Sequence, residues 1–275
     1  MGNGAADDAM PVSVGAAFAV KTALALSPHF DDAAFSCGGL LAVLRDQGWR
    51  TVVATVFTQR VPDPQGFALA CQSDKGLGPE VDYMALRQAE DLDAMAYLDA
   101  EWRWLDFPEA PHRGYESAAA LFGDVRADDD VWATITPVIA HLLAELSPDL
   151  VLSPSGMGGH VDHRQVIRAA LSVVPPERHV FYRDTPYAIR NPAGPRHVNV
   201  PELAAAHIDI AAGLERKVSA ATAYVSQLGF QFGGPGPAGQ ALREFAWAEG
   251  GSFPAEIVYA PSGHVPGFGL QRATL

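Results

Sequence analysis

The chain is expected to fold as one α/β domain, with a mostly parallel sheet and helices on both faces. Three features predict this. Short apolar runs alternate with helical patterns along most of its length. Two of those runs lead into loops rich in His and Asp, as happens where ligands bind beyond the carboxyl ends of parallel strands. The composition, 275 residues with 48% hydrophobic and 19% charged, is enough for one sizeable core.

Taken in order, TALAL (22–26) reads as a strand and AAFSCGGLLAVLRDQG (33–48) as a helix closed by Gly48. TVVATVFT (51–58) is β-branched and reads as a buried strand. Residues 60–80 carry Pro, Gly and Asp and read as a long loop, a length usually kept for function. YMALRQAEDLDAMAYL (83–98) has apolar residues at helical spacing. WRWLDF (102–107) reads as a strand whose Trp102 and Trp104 fill a core. DDVWATITPVIAHLLAEL (129–146) reads as a helix with Asp129 or Asp130 at its N-cap and a kink at Pro137. DLVLSPS (149–155) and HVFYR (179–183) read as strands, and VDHRQVIRAALSVV (161–174) as a helix. AAGLERKVSAATAYVSQL (211–228) reads as one helix, GFQFGGPGPAG (229–239) as a glycine-proline loop and EIVYA (256–260) as a last strand. Residues 1–20 read as a flexible leader and 21–275 as a single domain.

The formal net charge of −13 argues against nucleic acid and anionic membranes as partners. A neutral or cationic small molecule suits it better. No apolar run reaches the length of a membrane span. Asp7 and Asp8 stand where a signal peptide needs basic residues, so a cytoplasmic location is expected. Two cysteines, Cys37 and Cys71, form no disulfide framework and are expected as free thiols, Cys37 as a small core residue.

The informative stretches are SPHFDD (27–32) and GGHVDH (158–163), each following a strand. Ionisable groups beside a core are costly unless paired, hydrated or bound to metal. His160 and His163 lie three apart at a helix start and can share one face. Imidazole and carboxylate suit zinc or a similar divalent ion, and a catalytic zinc takes three protein ligands and keeps one position open. His29, Asp32 and His163 would supply two nitrogens and one oxygen. One Asp and one His are then left over, as metal-assisted hydrolysis requires. The alternative is that Asp31 or Asp32 simply caps the next helix.

These residues carry a family resemblance. SPHFDD resembles the (A/S)HPDD(E) motif of the LmbE-like deacetylases, the family of N-acetylglucosaminyl-phosphatidylinositol de-N-acetylase, and GGHVDH resembles its HxDH motif. Arg87 and Glu90 resemble its RxxE helix, and KVSAATAYVSQ its C-terminal part, so that the likeness runs over about 22–260. It implies a Rossmann-like three-layer α/β sandwich and a zinc-dependent N-deacetylase with one ion on His29, Asp32 and His163. It further implies Asp31 as general base, a protonated His160 stabilising the oxyanion, and Asp162 orienting a histidine. Phe30 and Ala33 depart from the motif, at positions that are not ligands.

The substrate is expected to be an N-acetylglucosamine-type glycoconjugate, with a bulky antibiotic scaffold such as a glycopeptide as one candidate. Arg87 is expected to bind a sugar hydroxyl or phosphate, or else to pair with Asp91 on the helix surface. Tyr187, Gln227 and Phe230 are expected to line the site. The stretches 60–80 and 229–239, with Phe67, Leu69, Leu77 and Phe232, either wall the cleft or fold back on the domain. His112, His141, His179, His197, His207 and His264 are not expected as ligands. The competing functions are a metal-dependent hydrolase of another amide or ester, a deacetylase of a small thiol-pathway or inositol-linked glucosamine, and a metal-stabilised binding module. The last needs neither a spare Asp31 nor a spare His160.

Overall fold

The computed structural model describes residues 20–261. The expected leader, Val20 apart, and His264 lie outside the described residues. The first part of the chain lays down β1 (Thr22–Ser27), α1 (Asp32–Asp46), β2 (Arg50–Thr55), α2 (Gly66–Ser73), α3 (Tyr83–Leu98) and β3 (Glu101–Trp104). After a 3-10 turn at Ala110–Arg113 come α4 (Ala118–Leu121), α5 (Val131–Leu146), β4 (Leu150–Pro154) and α6 (Val161–Val173). The chain continues through β5 (His179–Tyr182), α7 (Tyr187–Arg190), β6 (Leu203–Asp209), α8 (Leu214–Ala223), α9 (Val225–Phe232), α10 (Pro235–Gly250) and β7 (Ala255–Pro261).

The seven strands form one sheet in the order β3-β2-β1-β4-β5-β7-β6. The first five in that order pair in parallel, and β7 runs antiparallel to both β5 and β6. Alternation along a buried strand feeds two cores. Ala23 and Ala25 of β1 pack on one face with α1, α3, α8 and α10, while Leu24 and Leu26 pack on the other with α5 and α6.

From β1 the chain winds outward through β2 to β3, then returns to place β4 on the other side of β1. The winding direction therefore reverses between β1 and β4, the place where such sheets open a crevice. Leu152 of β4 pairs with Ala25 of β1, and both strands end two residues later, at Pro154 and Ser27. Register thus delivers the loops carrying His29 and His160 to the same level of the sheet edge.

Several elements differ from the sequence reading. The 60–80 stretch contains α2, whose one buried side chain is Gln72; that side chain ties the following turn back through Gly78 O and Val81 O. The 211–228 stretch is two helices, α8 and α9, broken at Tyr224 because its ring is buried on Phe35 and its hydroxyl donates to Asp91. The 229–239 stretch is not a loop. Gly233 closes α9 in the left-handed region, Gly234 starts α10, and Pro235 sits in its first turn, where no N–H is missed. Apart from its start, α10 has no counterpart in the sequence reading, and β6 has none. Trp102 is 45% exposed rather than core, because β3 is the sheet edge; Trp104 turns inward and donates to Asp91. Asp130 occupies the N-cap of α5 without a side-chain cap bond, and the helix runs on through Pro137.

Asp91 is fully buried, and burial pushes its carboxyl up to about 6 despite hydrogen bonds from Trp104 and Tyr224. Between about 3.9 and that value the native state holds more protons than the unfolded chain. Asp91 therefore makes stability fall as pH rises through that window. Asp91→Asn is expected to remove this component: urea midpoints at pH 4.5 and 6.5 should show wild type losing stability relative to the variant.

Candidate active site and metal centre

The crevice holds both motifs. His29 lies in the β1–α1 loop, Asp31 is the N-cap of α1 and Asp32 its first residue; His160 is the N-cap of α6 and Asp162 and His163 lie in its first turn. Gly158 makes the second loop possible. Its φ is +84, and a Cβ there would lie 2.4 Å from the Tyr187 ring.

One ligand atom each from His29, Asp32 and His163 lies within 4.8 Å of the others. His163 is fully buried, and its Nδ1 is 2.7 Å from Asp184 Oδ1. A carboxylate only accepts, so Nδ1 carries a proton, and Nε2 is the nitrogen that would present a lone pair once its own proton is displaced. That Nε2 is buried without a hydrogen-bond partner, 3.2 Å from Asp32 Oδ2. His29 is arranged the opposite way round. Its Nε2 is 3.0 Å from Asp162 Oδ2, and its Nδ1 is 3.1 Å from Asp32 Oδ2.

The charges point to a cation. Burial opposes a charge on His163, but Asp32 and Asp184 outweigh it and hold the ring up at about 9. Burial likewise opposes charge on His29, and the hydrogen bonds to Asp162 and Asp32 raise it well above its ordinary range. The histidines are proton-rich because carboxylates crowd them. A divalent ion would take over that role and displace the protons. Orphaned imidazole nitrogen, donor types and charge all fit a metal of the zinc class.

A second trio, His29, His160 and Asp162, meets the same distance test. Its donors are already occupied. Asp162 accepts from Arg113 Nη2 at 2.7 Å and from Ala110 N at 3.1 Å, and His160 Nδ1 accepts from Asp162 N at 3.2 Å. The Arg113 guanidinium beside it repels a cation and holds the Asp162 carboxyl below the usual range against the cost of burial.

The adjacent aspartates are driven apart. Burial and the neighbouring Asp32 charge raise Asp31, while the His163 charge holds Asp32 well below its ordinary value despite burial. Carboxylates separated in this way take different roles. Asp31 receives Gln231 Nε2 at 3.1 Å and faces Arg87 Nη2 at 3.6 Å. The expectation of a protonated His160 needs correction. Burial pushes its imidazole down to about 3. Since Nδ1 accepts from Asp162 N, the neutral ring carries its hydrogen on Nε2.

His29, Asp31, Asp32, His160 and Asp162 line a cleft of ≈ 550 Å³, together with Arg87, Tyr187, Gln227 and Phe230. That volume suits a small glycoconjugate. Arg87 is not a surface partner of Asp91. It is buried, bonds Glu109 and lies over Phe30, the motif's departure from proline. Ala33, the other departure, is core. Phe67, Cys71 and Lys75 of the 60–80 stretch wall the cleft, whereas Phe232 packs on Phe35. Cys37 is a buried free thiol. His112 lines the cleft outside both trios, and His179 is tied to Ser153 at 2.6 Å.

Asp184, Arg113, Glu109 and Gln231 were missed from the sequence. Asp184 had a usable signal, since it follows β5 at the same sheet edge; Arg113 and Glu109 lie in an aperiodic segment. Among the described residues no helix is long and apolar enough to cross a membrane.

The family model for GlcNAc-PI de-N-acetylase, PIG-L, matches residues 24–174. A 2'-N-acetylparomamine deacetylase of Streptomyces fradiae is 33% identical over 214 residues, covering 74% of this chain and 72% of the relative. A deacetylase of the teicoplanin biosynthesis pathway superposes with a TM-score of 0.77 at 25% identity, over 92% of this chain and 99% of its own. The A40926 pseudoaglycone deacetylase does so with a TM-score of 0.71 at 27% identity, over 87% and 96%.

Proposed function

The chain belongs to the PIG-L family of GlcNAc-PI de-N-acetylases, and on that premise we propose that it is a zinc-dependent hydrolase removing the N-acetyl group from an N-acetylglucosamine-type sugar on an antibiotic scaffold. The observation that carries this reading is the buried His163 Nε2, without a hydrogen bond and 3.2 Å from Asp32, in one trio with His29, with Asp31 held apart from that trio. The net charge of −13 favours a cationic scaffold, as in the paromamine named for the Streptomyces relative, over a neutral one.

His29, Asp32 and His163 would hold the ion. The chemistry it supplies when bound is Lewis acidity toward water and toward the acetamide carbonyl. The Asp31 carboxylate takes the proton that water gives up on attacking the carbonyl carbon. It then returns that proton to the sugar nitrogen as the C–N bond breaks, leaving acetate and a free amine. His160 donates Nε2–H to the carbonyl oxygen as negative charge grows there, as a neutral hydrogen bond. Asp162 and Asp184 fix the ring orientations of His29 and His163.

The test is acetate release from 2'-N-acetylparomamine, from an N-acetylglucosaminyl glycopeptide pseudoaglycone and from free N-acetylglucosamine, with and without chelator. Turnover of a conjugate that chelator abolishes and stoichiometric zinc restores is expected, with the free sugar poorest. No acetate from any of them, or release indifferent to chelator, would refute the reading.

A further inference from the structure

Resting on the deacetylase reading, we infer that Gln231 is a positioning residue for Asp31, holding the carboxylate in the orientation that proton transfer needs. Gln231 Nε2 donates to Asp31 Oδ2 at 3.1 Å, across 200 residues of chain. The carboxylate only accepts, so the amide turns its NH2 toward it. The other oxygen, Oδ1, faces Arg87 Nη2 at 3.6 Å. Neither partner comes from Asp31's own loop: Arg87 is on α3 and Gln231 on α9.

Those two helices are fastened to each other. Glu90, three residues after Arg87 on α3, accepts from the Ser226 backbone N–H and from Ser226 Oγ, both at 2.7 Å. Gln227 Nε2 donates to Tyr83 OH at 2.9 Å. Gln227 and Gln231 are four apart and share one face of α9. The brace therefore closes: Arg87 and Gln231 grip the two oxygens of Asp31, and Glu90 and Tyr83 fix the distance between the grips. One hydrogen bond, from Gln231, and one ion-pair contact, with Arg87, leave lone pairs on the carboxylate free to accept from water. The brace also keeps Asp31 from swinging toward the ligand trio beside it. It depends on 229–232 being helical, because a loop there would not hold Gln231 in register.

The test is steady-state kinetics on whichever conjugate the wild-type protein deacetylates. Gln231→Leu is expected to lower kcat about tenfold to a hundredfold, the usual effect of a hydrogen bond to a charged group, with KM and bound metal unchanged. In an Asp31→Asn background the same substitution is expected to have no further effect. Gln231→Glu, equal in size and without a donor once ionised, should fall at least as far when assayed at a pH that ionises both carboxyls, and it decides the matter if the leucine variant fails to fold. An unchanged kcat, a raised KM with kcat intact, or an equal loss in the Asp31→Asn background would overturn the inference alone. A wild-type protein that releases no acetate from any conjugate would instead overturn the deacetylase reading, and the inference with it.

Discussion

Asp31→Asn is expected to keep its metal and lose turnover by about 10²–10⁴-fold, the usual contribution of a positioned general base. The substitution is nearly isosteric, and the amide oxygen can still accept from Gln231 or Arg87. What it cannot do is take a proton from water. Two observations support the proposed role of Asp31 as the base. It lies outside the ligand trio, and burial followed by the Asp32 charge raises its carboxyl. Its side chain makes no cap hydrogen bond to α1, so helix capping does not explain it. Acetate release measured beside elemental analysis of the same preparation checks the prediction. Turnover within twofold of wild type would reduce Asp31 to a helix start.

His163→Ala is expected to lose both metal and activity, and Asp32→Asn to weaken metal binding itself. His163 is fully buried between Asp184 and Asp32. Removing it takes away one of three donors and leaves buried carboxylates facing each other. Breaking a buried pair in this way costs about 3–5 kcal/mol, so a lower melting temperature should accompany the metal loss. Metal per folded monomer, measured after gel filtration, separates the two effects. Full occupancy in His163→Ala would mean that the ligand set is wrong.

The parts of this molecule legible in its sequence were those with strong periodicity or a sheet-edge rule behind them. TALAL and DLVLSPS read as strands because burial on both faces leaves them almost wholly apolar, and the winding rule then puts their two loops together. That was enough to bring His29, Asp32 and His163 into one group. What surrounds them was less legible. Asp184, Arg113 and Gln231 act across long stretches of chain, and local pattern carries no trace of such pairing. The GGP of 233–235 reads as a loop because Gly and Pro are breakers in mid-helix; here they sit at a helix end and a helix start, where the same properties are favourable. The single helix expected over 211–228 failed at Tyr224, whose hydroxyl prefers Asp91 to a continued helix. The neutral His160 follows from its burial, which local sequence does not carry.

The most direct test of the account is the position of the metal itself. Crystals of the zinc-loaded protein, measured on both sides of the zinc absorption edge, are expected to give one anomalous peak bounded by His29, Asp32 and His163, with Asp31 and His160 flanking it. A peak among His29, His160 and Asp162, or none at full zinc loading, would contradict it.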